Sequence, residues 1–203
     1  MNETLSNHAL DQLFRSARSQ NGWLDKAVDD DTLRAIYDLV RWGPTSTNGC
    51  PVRIIFLRSA HAKARLLPAL AAGNVEKTLN APVTAIIGYD VNFHEQLPRL
   101  FPHNPGMRDW YAAQPQAIHA TALRNSALQG AYLILAARAL GLDCGPMSGF
   151  DHEQVDAEFF AGSTRFPGQQ ISTNFLCNIG YGDPSKLFPR SPRLSFDESC
   201  ALL

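Results

Sequence analysis

Apolar residues recur at i, i+3, i+4 and i+7 near the start of the chain. Leu10, Leu13, Phe14 and Ala17 share one face of a helix predicted from about Asn7 to Ser19. A second helix is predicted after the acidic run Asp29-Asp30-Asp31, because carboxylates suit the positive end of a helix dipole. Its apolar face is Leu33, Ile36, Tyr37 and Val40, and the pair Gly43-Pro44 stops it. Val52–Leu57 reads as a strand, Ser59 is placed to cap a third helix that Pro68 begins or bends, and Ala81-Pro82 introduces a second apolar strand, Val83–Tyr89. Phe93–Pro115 holds four prolines together with Phe93, Phe101, Trp110 and Tyr111, so it cannot be one regular element. It is predicted to be a partly helical, lid-like excursion.

The longest helical pattern is Gln116–Leu140. Its middle, Ala131–Ala137, is apolar almost all round, as a central core helix requires, and Gly141 is a natural stop. Asp151 is placed to cap a helix through Phe160, and Ile171–Ile179 alternates as a strand that ends at Gly180-Tyr181-Gly182. From about residue 184 the chain becomes a proline-punctuated arm ending in a short amphipathic piece, Phe196–Leu203. The strands are too few and too unevenly placed for a regular βαβ repeat. The expected fold is α+β, a small mixed sheet packed by helices, as one domain over residues 1–203.

Composition narrows the function classes. Of 203 residues, 45% are apolar, enough for a sizeable core. The formal net charge is −1 with Lys and Arg scattered, which argues against a nucleic-acid partner. Met1–Leu10 is polar, without a basic stretch followed by an apolar one, so no secretory signal is expected. The most apolar run, Ala127–Leu142, is interrupted by Gln129 and Arg138 and falls short of the roughly 20 residues that cross a bilayer. No membrane partner is expected, and the expected location is the cytoplasm. Four cysteines, Cys50, Cys144, Cys177 and Cys200, have neither CxxC nor zinc-like spacing and read as reduced thiols, with Cys50 a small packed residue. His94 and His103, flanking the proline-rich stretch, read as exposed loop histidines, and no metal is expected.

There is no GxGxxG after a strand, no phosphate-loop motif and no GxSxG elbow. Five polar clusters remain. Arg15-Ser16-Ala17-Arg18 can reach a phosphate and sugar hydroxyls, or can be a solvated helix face. Pro44-Thr45-Ser46-Thr47-Asn48 sets hydroxyls and an amide on a stiff backbone before a strand, or is a polar turn. Asn74 and Lys77 are three apart and can share a helical face. In Pro146-Met147-Ser148-Gly149 the proline and glycines let backbone run close to a flat ligand. Arg190 and Arg193 form a second candidate phosphate clamp.

In this order, RSxR, PTSxN, NxxK, PMSGF and a late RL, the set resembles the nitroreductase-like FMN flavoprotein family along nearly the whole chain. The stretches WGPTSTN, ALGLDCGPMSGFD, NIGYGDPSKLF and PRLSFDE are most similar to its malonic semialdehyde reductases of uracil degradation. The resemblance implies a homodimer with FMN at the interface. Arg15, Ser16 and Arg18, with Arg193 and Arg190, would hold the phosphate and ribityl end. Pro44, Thr45, Ser46 and Asn48 would come from the partner subunit, Asn74 and Lys77 would address the ring edge, and Pro146, Met147, Ser148 and Gly149 would lie along the ring. Hydride would be carried by FMN, with NADH or NADPH as donor and no protein residue acting as acid, base or nucleophile. Phe101, Arg108 and Trp110 of the excursion are candidates for shaping the substrate site, the arginine for a carboxylate. The implied reaction is reduction of malonic semialdehyde to 3-hydroxypropanoate. Nitro, quinone or enone reduction on the same fold, or flavin binding without turnover, are the alternatives. The family often carries Gln-Pro-Trp where this chain has Cys50-Pro51-Val52, and Glu where it has Ser148. Both departures bear on the acceptor more than on FMN.

Overall fold

The computed structural model describes residues 3–203. Met1 and Asn2, the head of the polar run in which no secretory signal was expected, lie outside them. In chain order the elements are α1 (Asn7–Leu10), α2 (Asp30–Val40), β1 (Val52–Leu57), α3 (Ala60–Leu66), α4 (Ala72–Asn80), β2 (Val83–Asp90), α5 (Leu97–Leu100), α6 (Met107–Ala112), α7 (Pro115–Ala139), β3 (Asp143–Met147), α8 (His152–Phe159), β4 (Ile171–Gly180) and α9 (Phe196–Ser199). Three of the helix starts follow from side-chain caps. The Asp29, Ser59 and Asp151 side chains accept from the amides of Thr32, Ala62 and Gln154.

The four strands form one sheet in the order β1-β2-β4-β3, with every neighbouring pair antiparallel. The expected α+β architecture is present, with a sheet that is antiparallel throughout rather than mixed. Among the described residues, parallel pairing is confined to a single bridge between Ser19 and Cys144. All eight residues of the central strand β2 are buried, so its pattern reads as continuous rather than alternating. Its two faces serve different cores. Val83, Ala85 and Ile87 pack with Leu33, Ile36 and Val40 of α2 and Leu133 and Ala137 of α7. Ile86 packs instead with Leu66, Val155 and Phe159.

Two expected elements are shorter than the pattern predicted. The first helix does not reach Ser19. After Leu10 it widens into a π turn over Asp11–Arg15 and ends. The chain then straightens because the Gln20 amide donates to the Cys144 carbonyl at 3.0 Å, tying the segment to the edge of β3. The amphipathic piece at Phe196 is helical only through Ser199, held by a capping box between Ser195 and Glu198, and Cys200 is extended. The excursion after β2 is broken into a 3₁₀ turn (Phe93–Gln96), α5 and α6, as its prolines require. It has its own core of Phe93, Leu97 and Tyr111 against Tyr89 and Ala122. His94 belongs to that buried layer, which corrects its reading as an exposed histidine. The ring follows Phe93 into the cluster, and His103 is exposed as expected.

Cys144 and Cys177 are buried, Cys50 is half-buried and Cys200 is exposed. The hydrogen bond with Cys144, together with burial, pushes the Cys177 thiol well above its ordinary value. Native protein treated with a thiol reagent is therefore expected to lose Cys200 first and Cys50 more slowly. Cys144 and Cys177 should react only after denaturation, and four equivalent thiols in the native state would contradict this packing.

Candidate active site

The Arg15–Arg18 segment, β3 and α4 are bound to one another through named contacts. Beyond the Gln20–Cys144 pairing, a Cβ placed on Gly145 would meet the Gln20 carbonyl oxygen at 2.6 Å, so only glycine lets the two backbones approach this closely. Trp23 Nε1 donates to the Lys77 carbonyl at 3.0 Å, and Asn178 Nδ2 donates to the same oxygen at 3.2 Å. These two donors fix how α4 sits on the sheet and therefore which way Lys77 faces. Asn74 Nδ2 donates to the Gly149 carbonyl at 2.8 Å, joining α4 to the turn after β3. Substituting Gly145 by Val is expected to prise the 17–20 segment from β3 at a cost of about 1–3 kcal/mol. Thermal unfolding of the variant measures that loss, and an unchanged melting temperature would contradict the close approach of the two backbones.

The C-terminal arm closes on the same region. Arg18 Nη2 donates to the Phe188 carbonyl at 2.7 Å, and Arg190 Nη2 donates to the Ala17 carbonyl at 3.1 Å. Arg193 reaches only the carbonyls of Ser191 and Pro192 beside it. Among the described residues none of these three guanidinium groups has a carboxylate partner. Arg15 differs: it pairs with Asp11 at 2.7 Å and donates to Asn7. Ser16 is exposed where the π turn ends.

Along β3 and the turn after it the side chains alternate. Pro146, Ser148 and Gly149 are exposed, whereas Met147 is buried, its sulfur accepting from the Thr78 hydroxyl at 3.7 Å. Its side chain cannot lie along a ligand on the outer face, and only its backbone is available there. Lys77 is half-buried, and burial lowers the pKa of its ammonium. No hydrogen bond or ion pair engages that ammonium among the described residues.

The Pro44–Asn48 loop sits elsewhere. Tyr132 Oη donates to the Pro44 carbonyl at 3.0 Å, the Ser46 amide donates to Asn125 Oδ1 at 2.8 Å, and Asn48 Nδ2 donates to the Leu100 carbonyl at 2.9 Å. The Thr45 hydroxyl accepts from the Cys50 amide at 3.2 Å. Thr47, Asn48 and Cys50 all have left-handed backbone, with φ of 51°, 50° and 43°. Three such residues in so short a run persist only where the surroundings over-determine them, and strain of this kind clusters at functional sites. The N-terminal segment instead meets α7 at Arg138, whose carbonyl accepts from Gln12 at 2.6 Å and whose Nη1 donates to Leu13. On α7, Asn125 lies thirteen residues, about 20 Å, before Arg138, and Tyr132, which holds Pro44, lies six residues, about 9 Å, before it.

Of the three substrate candidates, Phe101 stacks on His103 with ring centroids 4.0 Å apart, and Trp110 lies half-exposed, edge-on to Tyr111. All three nitrogens of the Arg108 guanidinium already serve acids: Glu95 takes Nε and Nη2, Asp109 takes Nη1. Gln20, Trp23, Asn178 and Asn125 hold these segments together and went unread in the sequence, because each acts through a backbone partner far along the chain. Trp23 was the legible one, a lone indole in a polar stretch beside Gly22.

The sequence matches the Nitroreductase family over residues 15–181. The fold superposes on a Bacillus subtilis protein described as a nitroreductase with a TM-score of 0.83 at 20% identity, over 98% of this chain and 100% of that one. It also superposes on an Exiguobacterium sibiricum protein described as a nitroreductase and solved with FMN, TM-score 0.78 at 19% identity over 100% of both chains. A Staphylococcus epidermidis protein described as an NAD(P)H:FMN oxidoreductase gives 0.79 at 18%, over 100% of this chain and 99% of that one. At these identities the likeness to each is one of fold.

Proposed function

The chain belongs to the Nitroreductase family, and from that premise we propose that it is an FMN-dependent oxidoreductase that draws electrons from NADH or NADPH and works as a homodimer. The observation that carries this reading is a set of cations without carboxylate partners on segments that the Gln20–Cys144 and Trp23–Lys77 hydrogen bonds tie together. Arg18, Arg190 and Arg193, without carboxylate partners, suit a phosphate dianion. Lys77, unpaired and half-buried, suits the ring edge where negative charge gathers on reduction. When bound, FMN supplies the hydride chemistry between donor and acceptor. The chain's own residues bind and orient. Arg15, Ser16 and Arg18 take the phosphate and ribityl end, and Asn74 and the backbone of residues 146–149 line the ring.

We take Pro44, Thr45, Ser46 and Asn48 to reach that site from a second copy of the chain, as the anchoring of their loop on α7 through Asn125, away from Arg138, allows. Large apolar side chains support a covered surface: Trp42 is 80%, Phe188 73% and Leu194 71% exposed. We take residues 93–115 as the lid over the acceptor and the arm from 184 as a clasp on the partner.

For the acceptor we propose malonic semialdehyde, reduced to 3-hydroxypropanoate in pyrimidine degradation. This rests on the WGPTSTN, GPMSGFD, NIGYGDPSKLF and PRLSFDE stretches. Nitro, quinone or enone compounds are the second reading, favoured by the engagement of Arg108 with Glu95, which a substrate carboxylate would have to displace. A steady-state acceptor panel separates them. Turnover of the semialdehyde supports the first, and turnover of nitro, quinone or enone compounds without aldehyde reduction supports the second. Sedimentation at twice the chain mass is expected in either case.

A further inference from the structure

We propose that the cleft between residues 23–28, the end of β1 and the C-terminus of α4 binds a phosphate group, with Lys63 as its deepest cation. The cleft has a volume of about 530 Å³ and contains none of the residues assigned to FMN. Lys63, on α3, is only 5% exposed. Its ammonium donates to the carbonyls of Ala81 and Leu79, and no carboxylate lies within ion-pair distance of it among the described residues. Two carbonyls use two of its three donors. Both Lys63 and Ala81 line the cleft, so the third donor is the one left to an anion bound there.

A buried ammonium without a counter-charge is costly, and burial lowers the Lys63 pKa accordingly. An anion in the cleft removes that cost. Lys26, Arg58 and Asn80 supply further donors from separate elements, an arrangement suited to a tetrahedral oxyanion. Lys26 Nζ rests 3.6 Å from the centre of the Tyr181 ring and is exposed. Arg58 is shared with Asp30 and with the Val28 carbonyl, and Asp25 is the acidic residue of the lining. Asp30 and Asp29 offset Arg58 and Asp25 lies at the rim, so Lys63 is the buried cation of the cleft that has no acidic partner among the described residues. The source of the phosphate is either the free ion or an ester such as the 2′-phosphate of NADPH.

The test is equilibrium titration of the purified protein, carrying one equivalent of FMN, with inorganic phosphate, adenosine 2′-monophosphate and adenosine 5′-monophosphate. Saturable binding is expected, weakened roughly tenfold or more by Lys26→Gln and lost in Lys63→Met. Lys26→Gln keeps the test sound should the buried Lys63→Met variant fold poorly. Equal affinity for all three identifies a phosphate site indifferent to its ester, and tighter binding of one nucleotide identifies the ester. Absence of saturable binding by any of them, or unchanged affinity in Lys26→Gln, overturns the proposal. Because the cleft shares no residue with the flavin site, phosphate binding here stands whether or not the protein retains FMN.

Discussion

Replacing Arg53 with Met is expected to cost about 3–5 kcal/mol of stability, the loss typical when one partner of a buried ion pair is removed. Arg53, on β1, donates through Nη2 to Asp90 Oδ2 at 3.0 Å, and Asp90 is 2% exposed. Burial pulls the Arg53 pKa down while the Asp90 charge pushes it back up, so the guanidinium has its counter-charge in that carboxylate. The same guanidinium donates to the carbonyls of Cys50, Pro51 and Val52 at 3.1, 3.3 and 2.8 Å. It thus also pins the back of the strained Thr47–Cys50 turn. Loss of Arg53 strands the Asp90 carboxylate inside the protein and frees that turn. In a chain of this length the melting temperature should fall by roughly 6–20 °C. The paired change Arg53→Met with Asp90→Leu should recover much of it, since both charges leave together. Urea unfolding of the single and the paired variant beside the unsubstituted protein measures this. A single-variant loss below about 1 kcal/mol would mean that the pair is solvated.

The second large effect concerns the proposed phosphate clamp. Changing Arg18 and Arg190 together to Ala is expected to raise the FMN dissociation constant roughly a hundredfold or more, as two charge-assisted hydrogen bonds are lost. Both arginines also brace the C-terminal arm through Phe188 and Ala17, so FMN alone cannot separate a clamp from a brace. Riboflavin, which lacks the phosphate, separates them. A clamp predicts a large loss for FMN and little change for riboflavin, read by fluorescence quenching. Equal losses for both would assign these residues to holding the arm.

The parts of the fold that local chemistry decides were legible in the sequence. The period of Leu33, Ile36 and Val40, the strand Val52–Leu57, the caps at Asp29, Ser59 and Asp151, and the stop at Gly141 all appear where the pattern placed them. What escaped was set by distant partners. β3 was not read as a strand because Asp143-Cys144-Gly145-Pro146-Met147 has poor strand propensity and is held by its pairing to β4. The first helix lost its last turn to the pairing of Gln20 with Cys144, more than a hundred residues away. For the site, the polar clusters were visible as residue types, and Asn74 does join the turn at Gly149. That Met147 faces inward, that Arg108 is already paired and that His94 is buried depend on packing, which spacing along the chain does not encode.

The visible spectrum of the purified protein, recorded anaerobically before and after addition of NADH or NADPH, tests the central claim most directly. Flavin absorption that bleaches with a nicotinamide is the result predicted here. A protein that shows no flavin bands, even after incubation with FMN, would contradict the assignment of Arg18, Arg190 and Lys77 and the reductase reading built on them.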